Sequence, residues 1–228
     1  MRAVVVKLGG FAFPAKPDVG GLKRYAAVFR RLSGEGYRLA VVTGGGQLAR
    51  ELIEAARELG ANEALCDLLG IWASRLNAAL LAITLGLPNP LDIPSDVFSL
   101  TKALASSEAM VVLGGLQPGQ STDAVAVLAA ELMGAKLVVK ATDVNGIYTA
   151  DPKTDPSARK LDKLTYDEAI ELLSRSPVRA GTYELLDLLA LKLAKRSRVA
   201  IRVIDGREPE NIYRAVKGAE IGTLVGPR

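Results

Sequence analysis

Three times in the first half of this chain, a short apolar segment ends in consecutive glycines, and a segment with helical spacing follows. The apolar segments are residues 3–8 (AVVVKL), 39–43 (LAVVT) and 109–113 (AMVVL). Apolar runs of this length that stop at glycine are typical of buried strands, and their alternation with helices is typical of a layered sheet. The pattern therefore predicts an α/β fold and argues against a helix bundle.

The rest of the chain continues this alternation and shows no internal repeat. Further strands are predicted at residues 137–141 and 200–204, and residues 142–160, rich in Asp, Asn, Gly and Pro, predict a hairpin with a long surface loop. Apolar periodicity predicts helices at residues 22–32, 47–59, 65–85, 97–105, 124–133, 166–173, 183–195 and 208–216. We expect a single domain, residues 1–228, in which a change of composition near residue 141 separates two lobes.

Two residue types are too scarce for several kinds of enzyme chemistry. The 228 residues include no histidine and one cysteine, Cys66. Without histidine there can be no histidine-based triad, no histidine general base and no histidine-ligated zinc. A single cysteine excludes an internal disulfide framework and any multi-cysteine metal site. These absences remove a large share of enzyme chemistry.

Charge and hydropathy exclude other classes of partner. The 29 Lys and Arg residues and the 25 Asp and Glu residues are interleaved, so neither a nucleic-acid-binding tail nor a polybasic membrane anchor is indicated. No apolar run approaches the roughly 20 residues of a membrane span, and residues 1–10 have the pattern of a strand rather than of a signal sequence. We therefore expect a cytoplasmic protein with neither nucleic acid nor membrane as a partner, whose basic surplus suits small anionic ligands.

Each glycine turn that leads into a helix is a candidate anion site, because free N–H groups and the helix dipole both favour negative charge. Residues 44–49 (GGGQLA) fit the dinucleotide pattern, but the acidic residue at the required spacing, Asp67, does not end a strand. Residues 114–121 (GGLQPGQS) fit a P-loop except that Gln120 replaces the lysine. Glycines that only make tight turns would explain any one loop, but not all three with Lys7, Arg50 and Asp123 beside them.

Five segments, in order along the chain, resemble the motifs of the amino acid kinase superfamily and, within it, most resemble those of the uridylate kinases of archaeal type. They are VVKLGG (5–10), VVTGGGQLAR (41–50), CDLLGIWASRLNA (66–78), GGLQPGQSTDAVA (114–126) and KATDVNGIYTADP (140–152). The resemblance implies a three-layer α/β/α fold with a mainly parallel central sheet. It also implies phosphoryl transfer from ATP to UMP, giving UDP and ADP in pyrimidine nucleotide synthesis, with Mg²⁺ bound mainly through phosphates. The family usually forms homohexamers.

The resemblance implies a role for each matching residue, with the acceptor bound by a lobe of residues 1–140 and the donor by a lobe of residues 141–228. Catalytic roles are implied for Lys7, Arg50 and Asp123, the last as the carboxylate that orients the cationic groups. The ATP site is implied to comprise Gly9, Gly10, Gly46, Arg50, Thr142, Asp143, Tyr148 and Asp151. The UMP site is implied to comprise Gly45, Asp67, Leu116, Gln117, Pro118, Gly119, Gln120, Ser121 and Thr122.

Two positions depart from the family's pattern. Asp143 stands where several relatives have Lys or Asn, so the charge pattern on the donor side differs from theirs. Ser121 replaces the first Thr of the more usual Thr-Thr-Asp.

Each of these residues also has an ordinary structural explanation. Lys7 could extend from the end of a buried strand, and Arg50 could pair with Glu54 one helical turn on. Asp67 and Asp123 could cap the helices that follow them. The polar positions of the long helix at residues 65–85 suit either a subunit contact or the acceptor site; they are Ser74, Arg75 and Asn77. Tyr148 and Asp151 could serve only the surface loop.

Transfer to a phosphate needs no general base, because the acceptor oxygen is already anionic near neutral pH. A chain without histidine can therefore catalyse it by electrostatic positioning. One alternative is another small-molecule kinase of the superfamily, such as an acetylglutamate-type kinase, but these usually carry histidine where this chain has Thr43. The other alternative is a non-catalytic nucleotide-binding regulator, which could have lost Lys7, Arg50 and Asp123 and still bind nucleotide.

Overall fold

The computed structural model describes residues 2–106, 109–150, 155, 157–174 and 186–227, which form strands and helices in alternation. The strands are β1 (Arg2–Leu8), β2 (Tyr37–Thr43), β3 (Met110–Leu113), β4 (Leu137–Thr142), β5 (Ile147–Tyr148), β6 (Lys160–Leu161), β7 (Lys163–Thr165), β8 (Ala200–Asp205) and β9 (Thr223–Gly226). The helices are α1 (Val19–Gly34), α2 (Gly46–Glu58), α3 (Glu63–Leu85), α4 (Val97–Ala105), α5 (Thr122–Met133), α6 (Tyr166–Ser174), α7 (Leu188–Ser197) and α8 (Glu210–Val216). A short 3₁₀ turn, Gly10–Ala12, follows β1.

Seven strands form one sheet in the order β3-β2-β1-β4-β8-β9-β7, and every neighbouring pair is parallel except β8 and β9. Helices α4, α5, α6 and α7 pack on one face, and α1, α3 and α8 pack on the other, each group over its own apolar core. The predicted α/β class, the three layers and the mainly parallel sheet are confirmed.

The order of the strands places a switch point between β1 and β4. From β1 the chain proceeds through β2 to β3 at one edge, whereas β4 and β8 extend the sheet in the opposite direction. Open sheets of this kind bind ligands outside the carboxyl ends of the strands at such a point. The carboxyl ends of β1 and β4 are Leu8 and Thr142, so a ligand is expected above these two residues.

Side-chain alternation along β1 positions its lysine. Val4, Val6 and Leu8 lie in the core beneath α1 and α3, whereas Val5 lies in the core beneath α5. Because side chains alternate between the faces of a strand, Lys7 shares the face of Val5 and points toward α5. The apolar residues thus fix both the face and the height of this one charged side chain.

Most predicted elements are confirmed to within three residues, but the helix predicted at 183–195 is wrong at its start. Asp187 caps α7 by accepting from the Leu189 N–H, and the helix begins at Leu188; residues 183–185 lie outside the described part of the chain. The predicted hairpin within 142–160 is confirmed by the antiparallel pairing of β5 with β6. Sequence analysis did not predict β7 or β9, which are only three and four residues long.

The expectation that no apolar segment is long enough for a membrane span needs correction. Helix α3 has 23 residues, and one 18-residue window within it has a mean hydropathy of 1.6. This helix packs on α1, α2 and β3, and residues such as Ala78 and Leu81 are fully buried in the core. We therefore interpret α3 as a core helix with one exposed apolar face.

Candidate active site

Three buried charged side chains meet at the switch point between β1 and β4. Lys7 on β1 and Lys140 on β4 are paired in the parallel register, so both point to the same face of the sheet. Only 9% of Lys7 and 5% of Lys140 is exposed. Asp123, in the first turn of α5, lies between them: its Oδ1 is 3.3 Å from Lys7 Nζ, and its Oδ2 accepts a hydrogen bond from Lys140 Nζ. Two cations thus share one carboxylate.

This cluster carries a surplus of one positive charge. Burial raises the pKa of Asp123, but attraction from Lys140 and Lys7 outweighs burial and holds the pKa below its usual range. Burial lowers the pKa of Lys140, against the attraction of Asp123, and repulsion from Lys7 lowers it further. A buried charge is costly unless it is paired. The surplus cation therefore favours an anionic group that enters from the carboxyl end of the strands.

Sequence analysis assigned no role to Lys140, although it lies in the quoted segment KATDVNGIYTADP. A signal was present, since Lys140 follows the apolar run LVV as Lys7 follows AVVV. The partnership of the two lysines depends on the adjacency of β1 and β4, which are about 130 residues apart in the chain. Neither segment on its own predicts that the two strands are neighbours in the sheet.

The first two glycine turns pack directly against each other. The Gly44 N–H donates to the Leu8 carbonyl at 2.9 Å, and a Cβ on Gly10 would lie 3.2 Å from Gly46 Cα. Gly46 has a φ of +68°, and a Cβ there would lie 2.3 Å from the Phe13 carbonyl oxygen. Glycine is required because the two backbones approach so closely. The turns therefore form one continuous backbone surface above β1 and β2.

Hydrogen bonding distinguishes Gly9 from Gly10. The Gly9 N–H donates to the Ala141 carbonyl at 2.9 Å, which continues the β1–β4 ladder. The N–H of Gly10 makes no hydrogen bond to any other part of the chain that the structure describes. Of the two glycines predicted to contact the donor phosphates, Gly10 therefore has the N–H that is free to do so, and Gly9 provides close approach.

Helix α2 begins at this glycine surface and carries Arg50 one turn later. Gly45 is its N-cap residue and has no side chain to cap the helix. The Gln47 N–H donates to the Phe13 carbonyl at 3.0 Å, and the positive end of the helix lies at the glycine turn. Arg50 is exposed, and the structure shows no ion pair for it within the described ranges, so the alternative pairing with Glu54 is not formed. An exposed, unpaired guanidinium near a helix N-terminus favours an anion there.

The third glycine loop, residues 114–121, is held by side chains from α3. The Gly115 N–H donates to Ser74 Oγ at 2.8 Å, and Arg75 donates from Nε to the Gly115 carbonyl at 2.9 Å. The Gly119 N–H donates to Asp67 Oδ2 at 2.8 Å. At the far end, Ser121 donates to Asp187 Oδ2 at 2.7 Å.

The polar face of α3 is thereby explained. Ser74 and Arg75 bind the third glycine loop, and Asn77 donates to the Gly44 carbonyl of the second at 2.8 Å. The sequence left open whether these side chains form a subunit contact or belong to the acceptor site. In the structure they contact the glycine loops of the site.

The structure also excludes the capping explanations for two acidic residues. Asn62 caps α3 by accepting from the Leu65 N–H, so Asp67, in the second turn, is not a cap. Ser121 caps α5 by accepting from the Ala124 N–H, so Asp123 is left to pair with the lysines. Of the other residues predicted for UMP, Leu116 lies in the third glycine loop and Thr122 begins α5. The buried side-chain oxygen of Gln120 has no hydrogen-bond partner among the residues that the structure describes. Gln117 and Pro118 are exposed in the same loop.

The residues predicted for the donor side follow β4. Thr142 ends β4 and is buried, its carbonyl accepts from the Gly206 N–H at 2.7 Å, and its hydroxyl lies 3.3 Å from an Asp143 carboxylate oxygen. Tyr148 lies on β5 and is half-buried. Asp151, predicted for the same site, lies outside the described residues. The carboxyl ends of β4 and β8 thus bring Thr142 and Asp143 to the same edge of the sheet as the lysines.

Buried cations, a helix N-terminus and backbone glycine surfaces at the switch point of a parallel sheet define an α/β protein built to hold phosphates. The chain belongs to the amino acid kinase family, whose model matches residues 2–205. It is 48% identical over 226 residues to the uridylate kinase of Hyperthermus butylicus, with 97% of each chain covered. It is 43% identical to the uridylate kinase of Archaeoglobus fulgidus, with 97% of this chain and 99% of that chain covered.

Solved structures agree with this assignment. The crystal structure of uridylate kinase from Archaeoglobus fulgidus superposes with a TM-score of 0.86 at 41% identity, covering 99% of this chain and 100% of that one. The UMP kinase of Bacillus anthracis superposes with a TM-score of 0.81 at 23% identity, covering 99% and 96%, and this likeness concerns the fold alone.

Proposed function

We propose that this chain transfers the γ-phosphoryl group of ATP to UMP, giving UDP and ADP in pyrimidine nucleotide synthesis. The observation that carries the proposal is the Lys7–Asp123–Lys140 cluster, which lies beneath the glycine turns at the switch point. Near-full-length relatives at 48% and 43% identity are uridylate kinases. The acceptor is a phosphate, so its attacking oxygen is already anionic and the reaction needs positioned cations rather than a base.

In this proposal the two buried lysines, Asp123 and Arg50 have three separate tasks. Lys7 and Lys140 stabilise the negative charge that develops on the transferring phosphoryl group and on the leaving ADP. Asp123 is a positioning residue that holds both ammonium groups at the sheet edge. Arg50, exposed on α2, reduces the repulsion between the two phosphate chains as they meet. A chain without histidine is sufficient for this chemistry.

The two lobes differ in the substrate that they bind, although glycine turns of the first lobe also belong to the proposed ATP site. We assign the acceptor to the lobe of residues 1–140 and the donor to the lobe of residues 141–228. The residues that we assign to UMP are Gly45, Asp67 and residues 116–122, and those that we assign to ATP are Gly9, Gly10, Gly46, Arg50, Thr142, Asp143, Tyr148 and Asp151. One carboxylate oxygen of Asp67 accepts a hydrogen bond from the Gly119 N–H, which leaves the other oxygen to accept from a ribose hydroxyl.

Magnesium fits this site as an ion carried by the substrates. Within the described ranges no three acidic or cysteine side chains form a group that could hold a metal ion, and Asp123 is engaged by the two lysines. Bound to the phosphates, Mg²⁺ would neutralise part of their charge. Lys7 and Lys140 neutralise the remainder in this proposal.

We further propose that the protein is a cytoplasmic homo-oligomer, a hexamer as in the family it resembles. The exposed face of α3 supports self-association, since it presents large apolar side chains to solvent. They are Leu65, Trp72, Leu76 and Ile83. Sedimentation of the wild type and of Leu76→Glu tests this, and a wild-type monomer at micromolar concentration contradicts it.

A coupled ADP-release assay tests the proposed reaction. ATP and Mg²⁺ are supplied with UMP, CMP, AMP, GMP or N-acetylglutamate in turn, and the enzyme is compared with Lys7→Met. We expect turnover with UMP, reduced about 10²- to 10³-fold in Lys7→Met. Lys136→Met, at an exposed lysine just before β4, is the matched control and keeps full activity. If the enzyme turns over a different acceptor and not UMP, the UMP assignment is contradicted. Nucleotide binding without turnover would indicate a regulator.

A further inference from the structure

We propose that Arg75 is the positioning residue that shapes the acceptor loop, which we define as residues 114–121. The proposal rests on the proposed function in assigning this loop to UMP. Arg75 lies in the middle of α3, and its contacts are backbone carbonyls from two separate segments of the chain. Its effect on the reaction would be exerted through the loop rather than by contact with the phosphates.

The guanidinium of Arg75 binds three carbonyl oxygens at once. Nε donates to Gly115 at 2.9 Å, and Nη2 donates to Leu116 at 3.1 Å and to Ser95 at 2.6 Å. Gly115 and Leu116 are consecutive, so two successive peptide planes are fixed relative to α3. Ser95 lies just before the capping box of α4, in which Asp96 and Ser99 bond to each other's backbone N–H groups. Arg75 thus joins α3, the acceptor loop and the start of α4.

This geometry requires arginine rather than any cation. The planar guanidinium presents its donors in a fixed fork, whereas a lysine ammonium is a point donor that cannot hold the same three oxygens in one plane. Throughout the described ranges, Arg75 forms no salt bridge with a carboxylate, so its hydrogen bonds go to these carbonyls alone. The three hydrogen-bond acceptors of this half-buried cation are neutral, and the nearby Asp96 carboxylate also attracts it. Three hydrogen bonds to neutral carbonyls indicate that the position of those carbonyls matters.

The other end of the same loop is held from the same helix. Asp67, two turns before Arg75 on α3, accepts from the Gly119 N–H at 2.8 Å. Eight residues of α-helix span about 12 Å, so Asp67 and Arg75 set the distance between the two ends of residues 116–119. Among the described residues, Thr142, Asp143 and Tyr148 lie at or beyond the end of β4 on the donor side and share no hydrogen bond with Arg75. Loss of Arg75 should therefore affect UMP and not ATP.

Steady-state kinetics of Arg75→Met test this selectivity. We expect KM for UMP to rise about 10- to 100-fold, with kcat and KM for ATP within about threefold of the wild type. Arg75→Lys should recover part of the loss through one of the three bonds. Arg30→Met is the matched control, because Arg30 donates to the Thr84 carbonyl at the far end of the same helix. Equal rises in both KM values, or an unchanged KM for UMP, would overturn the proposal.

Hydrogen exchange of the ligand-free protein separates this proposal from the proposed function. In Arg75→Met, exchange across residues 114–121 should accelerate about 10-fold or more, while Arg30→Met leaves it unchanged. If the wild type does not turn over UMP but the loop exchanges faster in Arg75→Met, the proposed function fails and the role of Arg75 in the loop is upheld. Unchanged exchange overturns that role whatever the acceptor. If Arg75→Met does not fold, Arg75→Lys gives both readouts.

Discussion

The two segments that we assign to the substrates are held in different ways. The acceptor loop, residues 114–121, is bound by side chains from distant elements, chiefly Ser74, Arg75 and Asp67 of α3 and Asp187 before α7. The donor hairpin, which we define as residues 142–161, is held in its described part by backbone pairing of β5 with β6, by the pairing of Thr149 with Arg159 and by Thr223. Thr223 accepts from the Ile147 N–H at 2.7 Å and donates to the Leu161 carbonyl.

This difference indicates a division of labour. A loop fixed by several side chains from distant elements keeps its shape without ligand, and such preorganisation favours selection of one acceptor. The described part of the donor hairpin is held mainly by short local strands and by the hydroxyls of Thr149 and Thr223, so we expect it to be less preorganised. We therefore expect the acceptor side to determine specificity.

Lys140 lies at the boundary between the two regions. Its substitution is expected to reduce activity more than the other changes discussed below. Lys140→Met removes one of the two buried ammonium groups and leaves Asp123 paired with Lys7 alone. We expect kcat to fall about 10²- to 10³-fold, with both KM values changed little, because the charge acts on the transferring group and not on either nucleotide alone. Single-turnover kinetics with saturating ATP and UMP measure this.

The matched control for that experiment is Lys136→Met. Lys136 is exposed just before β4, so its removal changes net charge equally without touching the cluster. Equal loss of activity in both variants would indicate a general charge effect. A change confined to the KM for one substrate would place Lys140 in one region rather than at the boundary.

Thr223→Val tests whether one side chain holds the donor hairpin. The variant leaves the Ile147 N–H and the Leu161 carbonyl without their partner, and each such loss costs about 1–3 kcal/mol. We expect KM for ATP to rise about 10-fold and KM for UMP to stay unchanged, the reverse of the pattern for Arg75→Met. Thermal unfolding should shift downward by at least about 4 °C.

Thr101→Val is the control, since Thr101 bonds only to the Val97 carbonyl on an exposed turn of α4. An unchanged KM for ATP in a folded Thr223→Val protein would show that the hairpin has other constraints, and the contrast between the two regions would fail.

The sequence predicted local elements well because their signals are local. Apolar runs ending in glycine located β1, β2 and β3, and periodicity gave α4 its observed bounds, Val97–Ala105. The start of α7 was misplaced because residues 183–195 keep helical spacing through the Asp187 cap. An Asp ahead of an apolar run is a start signal that could have been used there.

What the sequence could not supply is pairing across the fold. Lys140 acquires its partner only when β4 lies beside β1, and Arg75 acquires its carbonyls only when the loop after β3 crosses α3. Both residues are visible in quoted motifs, yet their tasks depend on elements about 40 to 130 residues away in the chain. The functions of the acceptor loop's anchors were therefore open until the topology was known.

The pH dependence of activity should report the protonation of Lys140, which lies at the boundary between the two regions. Because burial and Lys7 lower the pKa of Lys140, this side chain loses its proton at a lower pH than an ordinary lysine. Activity should decline in the window between that lowered pKa and the usual value. Stability should change in the opposite direction there, because the unfolded chain binds more protons than the native one and unfolding free energy rises with pH.

Lys140→Arg is the sharpest comparison, since arginine stays protonated across this range. A folded Lys140→Arg enzyme should lose the alkaline decline of kcat even if its maximal rate is lower. An identical decline in both proteins would assign it to another group. Urea unfolding at a series of pH values measures the accompanying change in stability.

Substitution of Arg50 is expected to have the smallest effect on activity. The size of that effect tests how far burial determines the contribution of each cation to the reaction. Arg50 is exposed on α2, whereas Lys7 and Lys140 are buried. An exposed charge is screened by water and salt, so Arg50→Met should lower kcat/KM about 3- to 10-fold, less than either lysine. The effect should shrink between low and physiological ionic strength, while the effect of Lys140→Met should not. A salt-insensitive loss as large as that of Lys140→Met would mean that substrate binding buries Arg50, and the acceptor side would then close over its ligand.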